Sequence, residues 1–388
     1  MMDYSLEHHS EYVGKKAAEL PTPALVLSLP VVQANIAALH KDVETLGISF
    51  RPHVKTLKTI QVTRLMLGGG KYRSIIASTL AEIRGCMPLV QEGVLDEVLY
   101  GLPVNPGYLA QLAALRSQVR ILLMVDNEQH VAALEKFGGP QPWDVFVKID
   151  VGSRRAGIEA GSAGLAALVK RIEESPAARI YGFYCHAGHS YANSTRTEAE
   201  DTLQVELEGV VAAARLVPSD RELVISIGST PTAHVVASLK ASVPANWKLE
   251  LHAGNFPAND LQQVSTGVIT QADQAVRIAT DVASVYPERN EALVNAGVVA
   301  LSREPAHAFP GFGRVVGKAD WSVVRMSQEH GILGTTAEGE KAERNFEVGQ
   351  RVYLYCNHVC ITAAAFYVYY VVNEDDVVVD TWLPWKGW

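Results

Sequence analysis

The sequence predicts an α/β protein: a (β/α)8 barrel of the TIM type followed by an all-β carboxyl-terminal domain. Three observations carry that expectation. Short β-branched runs alternate with segments of helical spacing through the first two thirds of the chain, a pattern that implies parallel strands joined by helical crossovers. There are eight such runs, the number that closes a barrel. From about Asp273 the helical segments give way to alternating runs, the texture of an antiparallel β-domain.

Taken in order, the barrel strands fall at 49–54, 74–78, 97–102, 121–125, 145–150, 180–185, 223–227 and 249–252. Segments such as 165–174 and 197–214 have the apolar spacing of the helices between them. On pattern alone an open doubly wound sheet is the alternative, since periodicity does not decide closure. The run 24–29 precedes all eight, and a ninth strand does not fit an eight-stranded barrel, so it belongs with the β-domain. The later runs at 279–285, 351–355, 365–372 and 376–379 build that domain. The expected division is therefore 1–30 joining the β-domain, 31–272 the barrel, and 273–388 the β-domain proper.

The chain has 388 residues, is 48% hydrophobic and carries a formal charge of −8, which suits a soluble protein with a large core and argues against a nucleic-acid partner. Its longest apolar stretches, such as Ile121-Leu122-Leu123-Met124-Val125, are far shorter than a membrane span, and residues 1–16 lack the pattern of a signal peptide. Four cysteines, Cys86, Cys185, Cys356 and Cys360, are too few and too unevenly spaced for a disulfide framework. The cytoplasm is the expected compartment, and a special cysteine here is expected to be a ligand.

All strand ends of a barrel open on one face, where active sites are built. Lys55 follows the first barrel strand in Arg51-Pro52-His53-Val54-Lys55-Thr56. An amine at a barrel mouth, lifted partly out of bulk water, can hold an aldehyde cofactor as a Schiff base. Elsewhere a lysine is usually a solvated surface residue. Arg155 follows the fifth strand, where it could pair with Asp150 or Glu159, or stay charged and hydrogen-bond the phenolic oxygen of a pyridoxal ring. Tyr184 and Tyr191 bracket the sixth strand end, with His186 and His189 between them. Gly228-Ser229-Thr230 and Gly254-Asn255 end the last two strands, the usual phosphate position in this architecture. His53, His186 and His189 could tune the site or simply satisfy hydrogen bonds in the core.

Near the carboxyl end stands Asn357-His358-Val359-Cys360. Read as a strand, His358 and Cys360 point to one face and could grip one ion, and imidazole with thiolate favours zinc. Two ligands leave an open shell, as a catalytic site requires. Ordinary strand filling is the competing reading.

Together, the Arg51 to Thr56 run, the segment from Asp150 to Gly157, the stretch His186-Ala187-Gly188-His189-Ser190-Tyr191, the His358/Cys360 pair and the closing Trp382-Leu383-Pro384-Trp385-Lys386-Gly387-Trp388 resemble eukaryotic-type D-serine dehydratases. These are relatives of D-threonine aldolase within the alanine-racemase-like, fold type III pyridoxal phosphate enzymes. The resemblance spans about residues 20–388. It implies Lys55 as the Schiff-base lysine and catalytic base, and Arg155, Tyr184 and Tyr191 as cofactor contacts. It further implies Gly228, Ser229, Thr230, Gly254 and Asn255 as the phosphate site and His358 with Cys360 as the Zn2+ pair. One departure is Leu57, where many members have histidine. The implied reaction is β-elimination of water from D-serine to pyruvate and ammonia, with zinc assisting departure of the β-hydroxyl.

The nearest rivals are a D-threonine aldolase and an enzyme acting on D-threo-3-hydroxyaspartate, with the same cofactor and zinc or Mn2+. Cys360, a soft ligand, favours the dehydratase over the aldolase, whose branch tends to carry aspartate there. A non-catalytic pyridoxal phosphate carrier would have no use for a Lewis acid, and a racemase would need a second base opposite Lys55. By analogy with the fold the protein is expected to be a homodimer acting on a small D-amino acid.

Overall fold

The computed structural model describes residues 4–240 and 243–388. The chain divides into two compact units, 38–256 with 387–388, and 1–37 with 257–386.

The strands of the chain begin with β1 (Ala24–Ser28), after which come β2 (Ser49–Pro52), β3 (Ser74–Ala77), β4 (Glu97–Pro103), β5 (Arg120–Val125), β6 (Trp143–Asp150), the two-residue β7 (Ile158–Glu159), β8 (Ala178–Cys185), β9 (Leu223–Ile227) and β10 (Trp247–Ala253). In the larger unit the parallel order is β2-β10-β9-β8-β6-β5-β4-β3, with β7 paired to β6 off this path. The Val54 N–H donates to the Ile76 carbonyl at 3.0 Å, and His53 bridges Ile76 in parallel, which closes the ring between β2 and β3. The eight expected strands are all present, with ends moved by a residue or two, and the closed barrel replaces the open-sheet alternative.

Several turns from strand to helix end in a side chain that caps the next helix. Thr79, Asn127, Ser162, Thr195 and Ser229 each accept a hydrogen bond from a first-turn amide, an interaction worth about 1 kcal/mol apiece. Inside the barrel, Ile76, Leu99, Leu122, Met124, Phe146, Tyr184 and Val224 form a packed cluster. The Arg51 guanidinium is buried with them, donating to Glu250 at 2.8 Å and Glu97 at 2.6 Å. A charge so placed needs those carboxylates, since unpaired burial would cost several kcal/mol (roughly).

The other unit continues with β11 (Val276–Tyr286), β12 (Glu291–Val294), β13 (Gly313–Val315), β14 (Ser322–Met326), β15 (Gly331–Gly334), β16 (Arg351–Cys356), β17 (Tyr369–Val372) and β18 (Val378–Trp382). Its order is β12-β15-β14-β13-β16-β11-β1-β17-β18, and β12 also pairs β11, so six strands close on themselves. As expected from the sequence, β1 belongs here, antiparallel to β11 and parallel to β17. Its alternate residues Ala24 and Val26 join Ala279, Tyr370, Val372 and Val378 in the core. The run 365–372 is strand only from Tyr369; residues Val359–Ala365 are a helix.

Candidate active site

Lys55 sits in the turn directly after β2, half-buried. Its backbone N–H donates to Nδ1 of His53 at 3.3 Å, and the other ring nitrogen of His53 meets the Ser78 hydroxyl at 3.1 Å. That ring is held neutral, far below the ordinary histidine range, first by burial and then by the charges of Lys55, His252, Lys148 and Arg155. His53 thus anchors the lysine turn. Leu57, the departure noted in the sequence, is simply buried.

A second lysine, Lys148 of β6, enters the same mouth and was not singled out from the sequence. It is 5% exposed, and burial followed by the Arg155 charge lowers its pKa to about 8. Its ammonium lies 4.5 Å over the ring of Tyr184, which stacks on His252 at 4.0 Å. His252 meets the Ser226 hydroxyl at 3.0 Å through Nδ1, and Ser226 donates to Glu250 at 2.9 Å. The Nε2 of His252 is buried with no hydrogen-bond partner.

Arg155 is exposed on the loop after β6. Asp150 is occupied differently from the pairing considered for it: its carboxylate accepts from the amides of Gly152 at 3.0 Å and Arg154 at 3.0 Å, folding that loop. The Arg155 charge acts on Lys148 and, with burial, on His186, whose imidazole is held neutral. Nδ1 of His186 meets the Gly228 carbonyl oxygen at 3.2 Å, a core role. His189 lies 3.4 Å from the Ser153 hydroxyl.

The last two strand ends form a cup. Gly228 has φ +137°, and a Cβ there would collide with the His252 carbonyl oxygen. At Gly254 a Cβ would press on His53 at 3.3 Å. Ser229 caps the one-turn helix Thr230–Ala233, its hydroxyl meets that of Ser190 at 2.8 Å, and the Thr230 hydroxyl accepts from the Asn255 amide at 3.1 Å. Tyr191 follows Ser190 on a short 3-10 turn, Gly188–Ala192, half-buried. So Lys55, Arg155, Tyr184, Tyr191 and the cup residues all stand at the carboxyl end of one barrel.

A cavity of about 1140 Å3 opens at the opposite, amino-terminal end, lined by Arg120, Arg179 and Arg221. Those arginines already pair with Glu97 and Asp144, with Asp144, and with Glu173, respectively. The converging chemistry therefore lies at the other mouth.

His358 and Cys360 lie in the second unit, and not on a strand. β16 ends at Cys356; His358 is the N-cap of the helix Val359–Ala365, and Cys360 is in its first turn. The strand spacing argument fails, yet the pair is brought together by the helix start. The Val359 amide donates to Asp260 at 2.9 Å, which turns the chain there. Burial disfavours the His358 imidazolium, but the Cys360 thiol beside it, then Asp260 and Glu304, outweigh that and raise it to about 9. Its buried Nδ1 has no hydrogen-bond partner, with Glu304 at 3.5 Å. Among the described residues no group of three or more His, Cys, Asp or Glu side chains forms a metal cluster.

Residues 27–243 match the family model described as alanine racemase, N-terminal domain, and residues 275–372 the one described as putative serine dehydratase domain. A D-serine dehydratase of Schizosaccharomyces pombe is 41% identical over 98% of this chain and 95% of its own length. The chain belongs to the D-serine dehydratase family. Another family member, from Saccharomyces cerevisiae, is 32% identical over 98% of this chain and 99% of its own. The solved D-threo-3-hydroxyaspartate dehydratase of Delftia sp. HT23 superposes with a TM-score of 0.85 at 30% identity, covering 96% of this chain and 100% of that one. Solved mutants of that enzyme replace a histidine and, two positions later, a cysteine by alanine, the second in a metal-free form. These likenesses make this D-serine dehydratase family member a lyase of the alanine-racemase-like fold.

Proposed function

We propose that the protein removes water from D-serine to give pyruvate and ammonia, with pyridoxal 5′-phosphate and a zinc ion as resident groups. The observation that carries this is Lys55, half-buried at the barrel rim among His53, Lys148 and Arg155, in a chain that aligns end to end with D-serine dehydratases. The rim fits the cofactor: hydroxyls and main-chain amides gather at the cup, and Gly228 and Gly254 let its two strand ends pack closely against His252 and His53. Lys55 would hold the aldehyde, Arg155 and the two tyrosines, Tyr184 and Tyr191, the ring, and Gly228, Ser229, Thr230, Gly254 and Asn255 the phosphate. His358 and Cys360 fit a soft cation: imidazole and thiol stand side by side, and the buried Nδ1 makes no hydrogen bond, with Glu304 near it at 3.5 Å.

When bound, pyridoxal phosphate supplies an electron sink for the Cα carbanion, and zinc a Lewis acid for the β-oxygen. The chain supplies the rest. Nζ of Lys55, once released, takes the Cα proton, with Arg155 and Lys148 at the same barrel mouth. His53 holds the lysine turn in place. The hydroxyl leaves Cβ as water, and water regained on hydrolysis gives pyruvate plus ammonia. We place the enzyme as a cytosolic homodimer; among the described residues no helix is long and apolar enough to cross a membrane.

The test is to incubate the purified protein with D-serine, L-serine, D-threonine, D-alanine and D-threo-3-hydroxyaspartate, with and without a chelator. The expected result is pyruvate from D-serine, lost on chelation and restored by zinc, and a Lys55→Ala variant slower by about a thousandfold or more. Glycine from D-threonine would overturn the dehydration in favour of aldol cleavage. Faster turnover of the hydroxyaspartate than of D-serine would reassign the substrate.

A further inference from the structure

We propose that Glu206, on the helix Arg196–Ala214 behind the barrel wall, is a positioning residue for the cofactor phosphate, tying the loop after β8 to the loop after β9. The inference rests on the reading that the cup at Gly228, Ser229 and Thr230 takes the phosphate. Glu206 is fully buried. Its Oε1 accepts from the Ala187 amide, on the first loop, at 3.0 Å. The Thr232 side chain and the Gly228 amide, on the second, face the carboxylate and favour its charged form, while its Oε2 is buried with no hydrogen-bond partner. Thr232 in turn accepts from the Ser229 amide at 2.9 Å, and Ser229 meets Ser190 of the first loop at 2.8 Å. One carboxyl group thus sits at the root of both arms of the cup.

The acid is an expensive residue for that place. No cation pairs with Glu206 among the described residues, and the titratable groups facing it from β8, Cys185 and Tyr184, are themselves kept neutral by burial. Desolvation outweighs the donors that face it and raises its pKa to about 7. A methionine or leucine would fill the space without that penalty. What they cannot supply is an acceptor for the buried Ala187 amide, and an amide left unpaired when buried destabilises the arrangement that made it.

The experiment titrates the full-length protein, freed of cofactor, with pyridoxal phosphate, pyridoxal and pyridoxine 5′-phosphate, in wild type, Glu206→Gln and Glu206→Met. Glu206→Met is expected to weaken both phosphorylated ligands at least tenfold and pyridoxal less than twofold. Glu206→Gln, whose amide oxygen still accepts, should stay within threefold of wild type. Equal loss of pyridoxal and its phosphate, or no loss, overturns the inference. Wild type that binds pyridoxine 5′-phosphate reversibly but does not retain pyridoxal phosphate through gel filtration overturns the role of Lys55 while leaving that of Glu206 standing. Wild type that binds none of them overturns both. Should Glu206→Met not fold, Glu206→Asp, with its carboxylate withdrawn from Ala187, is expected to show the same tenfold loss.

Discussion

Lys148 shows how a single side chain can cost stability at a working site. Its pKa falls from 10.5 to about 8 in the folded protein, so in the unfolded chain it holds its proton more tightly. Below about pH 8 both states are charged and folding carries the full penalty; as pH rises from about 8 to 10.5 the folded state sheds its proton first and the penalty is relieved. A shift of that size corresponds to about 3 kcal/mol at most, reduced by the ring of Tyr184 beneath the ammonium. Urea unfolding of the cofactor-free Lys148→Met variant at pH 7 is expected to show a gain of about 1–3 kcal/mol that shrinks as pH approaches 10. A constant difference across that range would refute the assignment. The residue was legible in principle, as the one charge inside Val145-Phe146-Val147-Lys148-Ile149. Glu206 was not, since its helix carries several acids and nothing in the spacing says which one is buried.

Among the elements, the parallel strands were the most legible, because a strand covered on both faces leaves a plain apolar run between turn residues. The helix at Val359–Ala365 was not: Val359, Ile361 and Thr362 are β-branched, and it takes the distant Asp260 carboxylate, accepting from the Val359 amide, to start a helix there. The sequence suggested that His358 and Cys360 meet on a strand; they meet at a helix start instead. The glycines of the cup separate by geometry. Gly228 combines a positive φ with a backbone collision, whereas Gly254 needs only a few tenths of an ångström of give. Gly228→Ala should therefore destabilise by about 2 kcal/mol or more and Gly254→Ala by about 1 kcal/mol or less, by urea unfolding. The reverse order would show that the cup is held differently.

For the molecule as a whole, the two groups proposed to reside in it are expected to differ in what their removal does. A cofactor held by several strand ends binds only the folded protein, so at a hundred times its dissociation constant it adds about 2.7 kcal/mol of stability. A cation on two side chains of one helix start closes no long loop and crosslinks little. Chelation should therefore abolish turnover and leave the melting temperature within about 2 °C, while stripping pyridoxal phosphate lowers it by several degrees, about 2–4 °C per kcal/mol for domains of this size. Calorimetry of the three forms checks this; a large drop on chelation alone would mean that the ion is structural.

The central place of β1 has a consequence for biosynthesis. Its two partners, β11 and β17, are encoded on the far side of the whole barrel. A chain emerging from the ribosome amino end first must carry Ala24-Leu25-Val26-Leu27 as an unpaired apolar ribbon until the whole barrel has been made, and its second partner, β17, follows only near the carboxyl end. The barrel, with its lysine rim, can mature during that wait, and His358 and Cys360, the pair proposed for the ion, come into being afterwards.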